Sequence, residues 1–253
     1  MARTPPAGVF GPRRRQETRL TRTPRKAKRR PLLRFLLRWL FRGALLVAVL
    51  ATAWIALYAV VAPPTTPYML SERARLGEVL QVWRPIEDIS PHLARAVVAA
   101  EDANFCLHAG FDMDAIRAAI AEGMSRGGST ISQQVVKNAF LWQGRSWARK
   151  ALEGVMTPVM ELIWTKRRVL EVYLNIVEFD EGIFGAEAAA QHYFGISAAD
   201  LNPTQAARLA AVLPNPRERS ASSPSAALRE RAARIADGAA TIRADGRDAC
   251  FAR

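Results

Sequence analysis

Apolar residues follow two regimes along this chain. Between residues 43 and 62 they run without interruption as GALLVAVLATAWIALYAVVA, twenty positions without a charge. An α-helix rises about 1.5 Å per residue, so this stretch reaches roughly the 30 Å of a bilayer's hydrocarbon core. Trp39 and Phe41 before it and Tyr58 near its end suit the two interfaces, and Pro63-Pro64 cannot continue the helix. The expectation is one membrane-spanning helix over residues 43–62.

From residue 90 onward apolar positions recur every three or four residues, the period of amphipathic helices. Ser90-Pro91 opens a helix with Leu93, Ala96, Val97 and Ala100 on one face and Glu101 at its end. Asp112 is placed to cap a second, over residues 112–125, that Gly127-Gly128 stops. Further helices are expected over 130–141, 147–164, 166–177, 187–194, 203–213 and 226–243. Only residues 79–83 read as a short strand. The expected fold class is mainly α.

Charge sharpens this division. The formal net charge is +13, and residues 1–42 carry fourteen Lys or Arg against Glu17 alone, so the remainder is neutral with 22 basic and 22 acidic side chains. No basic surface remains for nucleic acid, and no aromatic residues interleave the tail's charges as a base-stacking platform would. The tail, rich in Pro, Thr and Arg, is expected to be disordered and held against anionic headgroups. The positive-inside rule places it in the cytoplasm and the segment after the span outside. A cleaved signal peptide fits less well, because the apolar run exceeds an ordinary h-region and no small-x-small site follows it. The expected domains are therefore a tail over 1–42, a span over 43–62 and one globular domain over 63–253.

Two clusters carry the chemistry. VVAAEDANFCLHAGFD, residues 97–112, sets Glu101 and Asp102 about two helical turns from His108. RGGSTISQQ, residues 126–134, runs from a glycine turn into Ser129, Thr130, Gln133 and Gln134, with Lys137 one turn on. Thr130-x-x-Gln133 is also a capping box, but two adjacent glutamines cannot both serve one cap. In RKALE, Arg149 and Lys150 stand four and three residues before Glu153, on one helix face. Alone, that triplet would be an ordinary solvated ion pair. His92, His108, His192 and the two cysteines show no metal-ligand spacing. Cys106 and Cys250, facing an oxidising compartment, could pair, but Cys250 lies three residues from a terminus expected to fray, and sequence alone does not place the two within bonding reach.

These clusters carry a resemblance. Residues 97–112 look like the first motif of the peptidoglycan glycosyltransferases, RGGSTISQQVVKN resembles their second and RKALE their third. KRRVLEVYLN, residues 166–175, and GIFGAEAAAQHYFG, residues 182–195, are similar to a fourth and a fifth. The resemblance covers roughly residues 70–235 and is to the monofunctional branch, since no transpeptidase segment follows.

It implies a lysozyme-like, mainly α domain on the outer side of the bacterial cytoplasmic membrane, anchored by a single pass. It implies polymerisation of lipid II into β-1,4 glycan strands by inverting transfer, with release of polyprenyl diphosphate. Glu101 matches the general base, and Glu153 the second essential carboxylate. Asp102, His108, Ser129, Thr130, Gln133, Gln134, Lys137, Arg149 and Lys150 would bind or orient substrate. No cofactor is required, with Mg or Mn at the diphosphate left open and no metal ligand assigned. The implied partners are lipid II, the growing strand, membrane lipids, and cell-division or elongation proteins. Tyr173 and Asn175 read either as substrate-orienting or, for Tyr173, as core. Phe140, Leu141 and Trp142 read equally as a membrane-dipping patch and as a buried helix end. The alternatives are an anchored lysozyme-type glycan-cleaving enzyme, against which the cationic RKALE helix argues, and a non-catalytic wall-assembly adaptor.

Overall fold

A computed structural model describes residues 1–2, 31–123, 128–144 and 146–252. Most of the expected basic tail, the expected helix end at Met124 and Ser125, and Arg126 and Gly127 of the glycine turn lie outside the described residues. Among the described residues the order is α1 (Pro31–Tyr58), α2 (Pro67–Leu76), β1 (Leu80–Gln81), α3 (Pro91–Glu101), α4 (Met113–Ala121), α5 (Ile131–Phe140), α6 (Trp147–Ile163), α7 (Lys166–Ile176), β2 (Glu178–Asp180), β3 (Ile183–Phe184), α8 (Ala186–Phe194), α9 (Pro203–Val212) and α10 (Ala226–Ala244). The mainly α expectation holds.

Helix α1 starts and stops earlier than residues 43–62. Its apolar stretch, Arg34–Tyr58, is 25 residues long and mostly unburied, the length and composition of a membrane anchor. The chain divides into two units, Met1–Leu46 and Val47–Arg253. In the first, helical residues 34–46 are exposed throughout.

In the second, the end of α1 is built into the core. Ile55 and Tyr58 are buried, so Tyr58 packs against protein where the sequence had placed it at an interface. The Trp164 indole donates to the Ile55 carbonyl at 2.8 Å, and Arg168 donates to the carbonyls of Tyr58 and Val61 at 3.0 and 2.7 Å. These bonds satisfy acceptors that a helix C-terminus leaves open. Phe140 packs against Trp54, Tyr58 and Trp164. Phe140 and Leu141 are therefore core, and only Trp142 of that trio is exposed. Large apolar side chains stand out instead along α6, where Trp147, Val155 and Leu162 are exposed.

Helices α5 and α7 form the centre, with Val135, Val136, Leu170, Tyr173 and Leu174 fully buried. Helices α3, α9 and α10 pack together through small residues, and a Cβ on Gly238 of α10 would lie 3.3 Å from the Ala99 methyl of α3. Helix α2 was not expected, because PYMLSERARL buries only Met69 and Glu72 and carries no apolar stripe. Its start is legible afterwards: Thr66 accepts from the Met69 N–H, and Pro67 occupies the first turn. The strand expected over 79–83 is present as β1. It lies beside β3 in a sheet of order β1-β3-β2, parallel to β3, with β2 antiparallel. Gly185 after β3 has φ 84°, and a Cβ there would meet the Asn175 carbonyl oxygen at 2.8 Å, so only glycine fits.

The pairing that the sequence left open is present. Cys106 and Cys250 form a disulfide with their Cα atoms 5.6 Å apart. The chain near Cys250 is not frayed: Phe251 is buried, and Asp248 accepts from Arg95 at 2.7 Å. Spacing could not show this, because the two cysteines are 144 residues apart in sequence.

Candidate active site

Helix α3 delivers Glu101 at its last position, and the chain leaves the helix at Asp102. Asp102 is buried, and both its oxygens are used. Oδ2 accepts from the Ile131 N–H at 3.0 Å, and Oδ1 meets His108 Nε2 at 2.8 Å. An anion at the first turn of α5 is favoured by the helix dipole and ties the two sequence clusters together. The other imidazole nitrogen of His108, Nδ1, is buried without a partner among the described residues.

The intervening loop closes on itself. Asp112 caps α4 by accepting from the N–H groups of Asp114 and Ala115 at 3.1 and 2.8 Å, and its second oxygen accepts from Asn104 at 2.9 Å. Those donors, the Ala115 N–H foremost, hold its carboxyl below the usual range. Gly110 has φ 92°, and a Cβ there would lie 2.8 Å from Thr157 Cγ2 of α6. Its carbonyl accepts from the Thr130 hydroxyl at 2.6 Å.

Thr130 and Gln133 do form the capping box. Thr130 is buried, and its hydroxyl is engaged with Gly110 and the Gln133 N–H, so it builds the site. Gln133 caps with its amide oxygen and donates with its amide nitrogen to Glu153 Oε1 at 3.3 Å. The next residue serves the other carboxylate: Gln134 Nε2 donates to Glu101 Oε2 at 2.8 Å, while its oxygen accepts from Tyr173 at 3.1 Å. Helix α5 thus stands between the two acids and bonds to both.

Glu153 is buried and saturated with cations. Arg149 donates to Oε2 at 2.7 Å, and Lys150 pairs with Oε1 while reaching Ser129 Oγ at 3.3 Å. Lys137, partly buried on α5, is held below its ordinary value first by burial and then by Arg149 and Lys150, with Glu153 and Glu101 opposing. Burial pushes the Glu101 carboxyl up, against the Gln134 bond and the charges of Arg231 and Lys137, which favour the anion.

Two openings flank these residues. One, of about 250 Å³, is lined by Glu101, Asp102, Asn104, Asp112, Ser129 and Thr130. The other, of about 280 Å³, includes Gln134, Lys137, Asn138, Tyr68, Glu178 and Arg217. Arg149 and Lys150 line a further opening beside Ser146 and Trp147.

All eleven residues singled out in the sequence fall within this connected region. Asn175 does not: it is fully buried, and its side chain bonds the backbone of Arg84 and Glu171. Tyr173 is core and also bonds the site through Gln134. Arg231 was missed, since nothing in its local sequence marks it and only the packing of α10 against α3 brings it near Glu101. The ionic group of Glu72, Glu178 and Arg217 was missed for the same reason.

The donor set does not suit a protein-held cation. Among the described residues no three His, Cys, Asp or Glu side chains converge on a point that could hold one, and Glu153 is already bonded by Gln133, Arg149 and Lys150.

Residues 70–240 match the transglycosylase family model. A biosynthetic peptidoglycan transglycosylase of Jannaschia sp. (strain CCS1) is 67% identical over 215 residues, covering 85% of this chain and 90% of the relative. Relatives with the same description in Ectopseudomonas mendocina (strain ymp) and Caulobacter vibrioides (strain ATCC 19089 / CIP 103742 / CB 15) are 51% and 46% identical, over 79% and 88% of this chain and 84% and 98% of theirs. Fold, motifs and matches converge: the chain belongs to the transglycosylase family.

Proposed function

We propose that this enzyme polymerises lipid II into linear β-1,4 glycan strands. The 4-hydroxyl of one lipid-linked disaccharide attacks the anomeric carbon of a strand held as an α-linked polyprenyl diphosphate. The new C–O bond forms with inversion as the bond to diphosphate breaks. An alcohol is a weak nucleophile, and Glu101 takes its proton as the bond forms. Desolvation suits that role, because it raises the carboxylate's basicity while Gln134, Arg231 and Lys137 keep the anion accessible.

The departing diphosphate carries charge that cations must offset. Lys150 and Arg149 line an opening to solvent, and Lys137 faces the second cleft. Glu153 then acts on those cations: held from two sides, it fixes their direction and keeps their excess charge local. The observation that carries this reading is the pair of bonds from adjacent glutamines, which fix an acid and a cation-bound acid on either side of one helix.

The reading also includes place and partners. We place α1 across the cytoplasmic (inner) membrane as a single pass, N-terminus inside and domain in the periplasm. The basic tail supports that orientation. So does the disulfide, since such bonds persist in oxidising compartments. Docking of the last turns of α1 on the domain keeps the site near a lipid-anchored substrate. Lipid II and the growing strand are the substrates, with membrane lipids and cell-division or elongation proteins as neighbours.

A polymerisation assay tests the reading. Purified protein in detergent with lipid II should yield long strands without added nucleotide. Release of short fragments from finished, lipid-free strands, with no polymer from lipid II, would instead favour glycan cleavage, a reaction that gives Arg149 and Lys150 no diphosphate to meet.

A further inference from the structure

We infer that the segment after α10, residues 245–252, is a strap that positions the loop carrying Asp102 and His108, with Cys106, Cys250 and Phe251 as positioning residues. The inference rests on the reading above that this loop builds the site around Glu101.

The loop from Asp102 to Asp112 has one 3₁₀ turn, Phe105–Leu107, and otherwise no regular structure. Its inner side is fixed by the bonds to Ile131, Thr130 and Asp112 already described. The strap holds another side, at several points. The disulfide joins Cys106 to Cys250, four residues after Asp102 and two before His108. Arg247 Nη1 donates to the Ala103 carbonyl at 3.2 Å. The Phe251 ring, buried, lies 6.2 Å from that of the fully buried Phe105.

The strap is itself anchored to core helices. Arg95 of α3 holds Asp248 at 2.7 Å, and Arg167 of α7 donates to the Phe251 carbonyl at 3.1 Å. A continuous row of rings leads on to the site: Phe251 backs Phe105, which stands edge-on to His108 at 6.4 Å. Among the described residues His108 has one hydrogen bond, to Asp102, and its Nδ1 has none, so that bond and packing against Phe105 set where the imidazole sits. A bond serving stability alone would do so anywhere on the surface. This one closes on the turn between the two motif residues.

The test uses the full chain in detergent, oxidised, reduced by a dithiol, and reoxidised. Reduction passes two electrons and two protons from the dithiol to the disulfide, giving two cysteine thiols and the reagent's cyclic disulfide. A misplacement of order 1 Å at a catalytic loop costs up to about 10²-fold. Reduction should accordingly lower kcat about fivefold or more, with KM for lipid II within about twofold, at a temperature well below the melting point. Reoxidation should restore the rate, and the Cys106→Ser/Cys250→Ser variant should show the lowered rate and no response to the dithiol.

Histidine-selective NMR gives a readout independent of turnover. The His108 resonances should shift on reduction while those of His192, remote from the strap, should not. An unchanged His108 spectrum overturns the inference whether or not the enzyme is active, as does a fall in melting temperature with unchanged kcat. Absence of polymer from the oxidised wild type would count against the proposed reaction and leave the NMR result to decide the strap.

Discussion

Gln133 and Gln134, consecutive on α5, each hold a different carboxylate: Gln133 reaches Glu153 at 3.3 Å and Gln134 reaches Glu101 at 2.8 Å. One helix thereby sets the distance between the acid we assign as base and the acid that gathers cations. Only Gln133 is needed for the cap, so the second glutamine is free to serve chemistry.

The Gln134 bond should be separable from folding. Gln134→Leu removes the donor to Glu101 and the acceptor for Tyr173, and loss of a hydrogen bond to a charged group costs about 1.5–3 kcal/mol. If the bond stabilises the transition state, kcat/KM on lipid II should fall roughly tenfold to hundredfold. Steady-state rates with circular dichroism as the folding control check this.

Glu101 should trade stability for activity. Its folded-state value lies above the ordinary 4.5, so the native state binds more protons across that window and stability falls as pH rises through it. Glu101→Gln keeps the shape and still accepts from Gln134. At pH 7 its melting temperature should equal or exceed that of the wild type, with the difference closing as pH drops below 4.5. Thermal melts at several pH values measure it.

The pH–rate profile should carry the same signature. An acid limb set by Glu101 should lie above the ordinary 4.5. The charges facing Glu101 are Arg231 from α10, Lys137 from α5 and, opposing them, Asp102. Lys137→Met removes a cation that favours the anion, so the limb should move to still higher pH. A limb that stays in place would exclude Lys137 from setting the base.

Glu153 should matter for both folding and rate. Its two cation partners differ in exposure, Arg149 at 12% and Lys150 at 45%, so the Arg149 pair carries most of the energy. Glu153→Gln should cost about 1–3 kcal/mol, less than the loss of a fully enclosed pair. The protein should remain folded while polymerisation drops severely, as urea unfolding and turnover on one preparation would show.

Much of this was legible in the sequence. The helices from α3 to α10 announce themselves by period and by caps such as Asp112, Thr130 and Asn202, and RKALE shares a face because i and i+4 meet on any helix. Helix α2 was not legible, since it is polar and short, nor was the β2–β3 pair, with two to three residues per strand. Contacts that depend on packing distant segments leave no local signal. Arg231 near Glu101, the Cys106–Cys250 bond and the burial of Phe140 under Trp54 and Tyr58 are of that kind.

The most direct measurement compares wild type with Glu101→Gln in single-turnover lipid II polymerisation, with substrate binding measured on the same samples. The expected result is unchanged binding and a rate lower by about 10²-fold or more, the scale of a lost general base. A variant that binds normally and polymerises within a fewfold of the wild-type rate would contradict Glu101 as the residue that takes the sugar's proton.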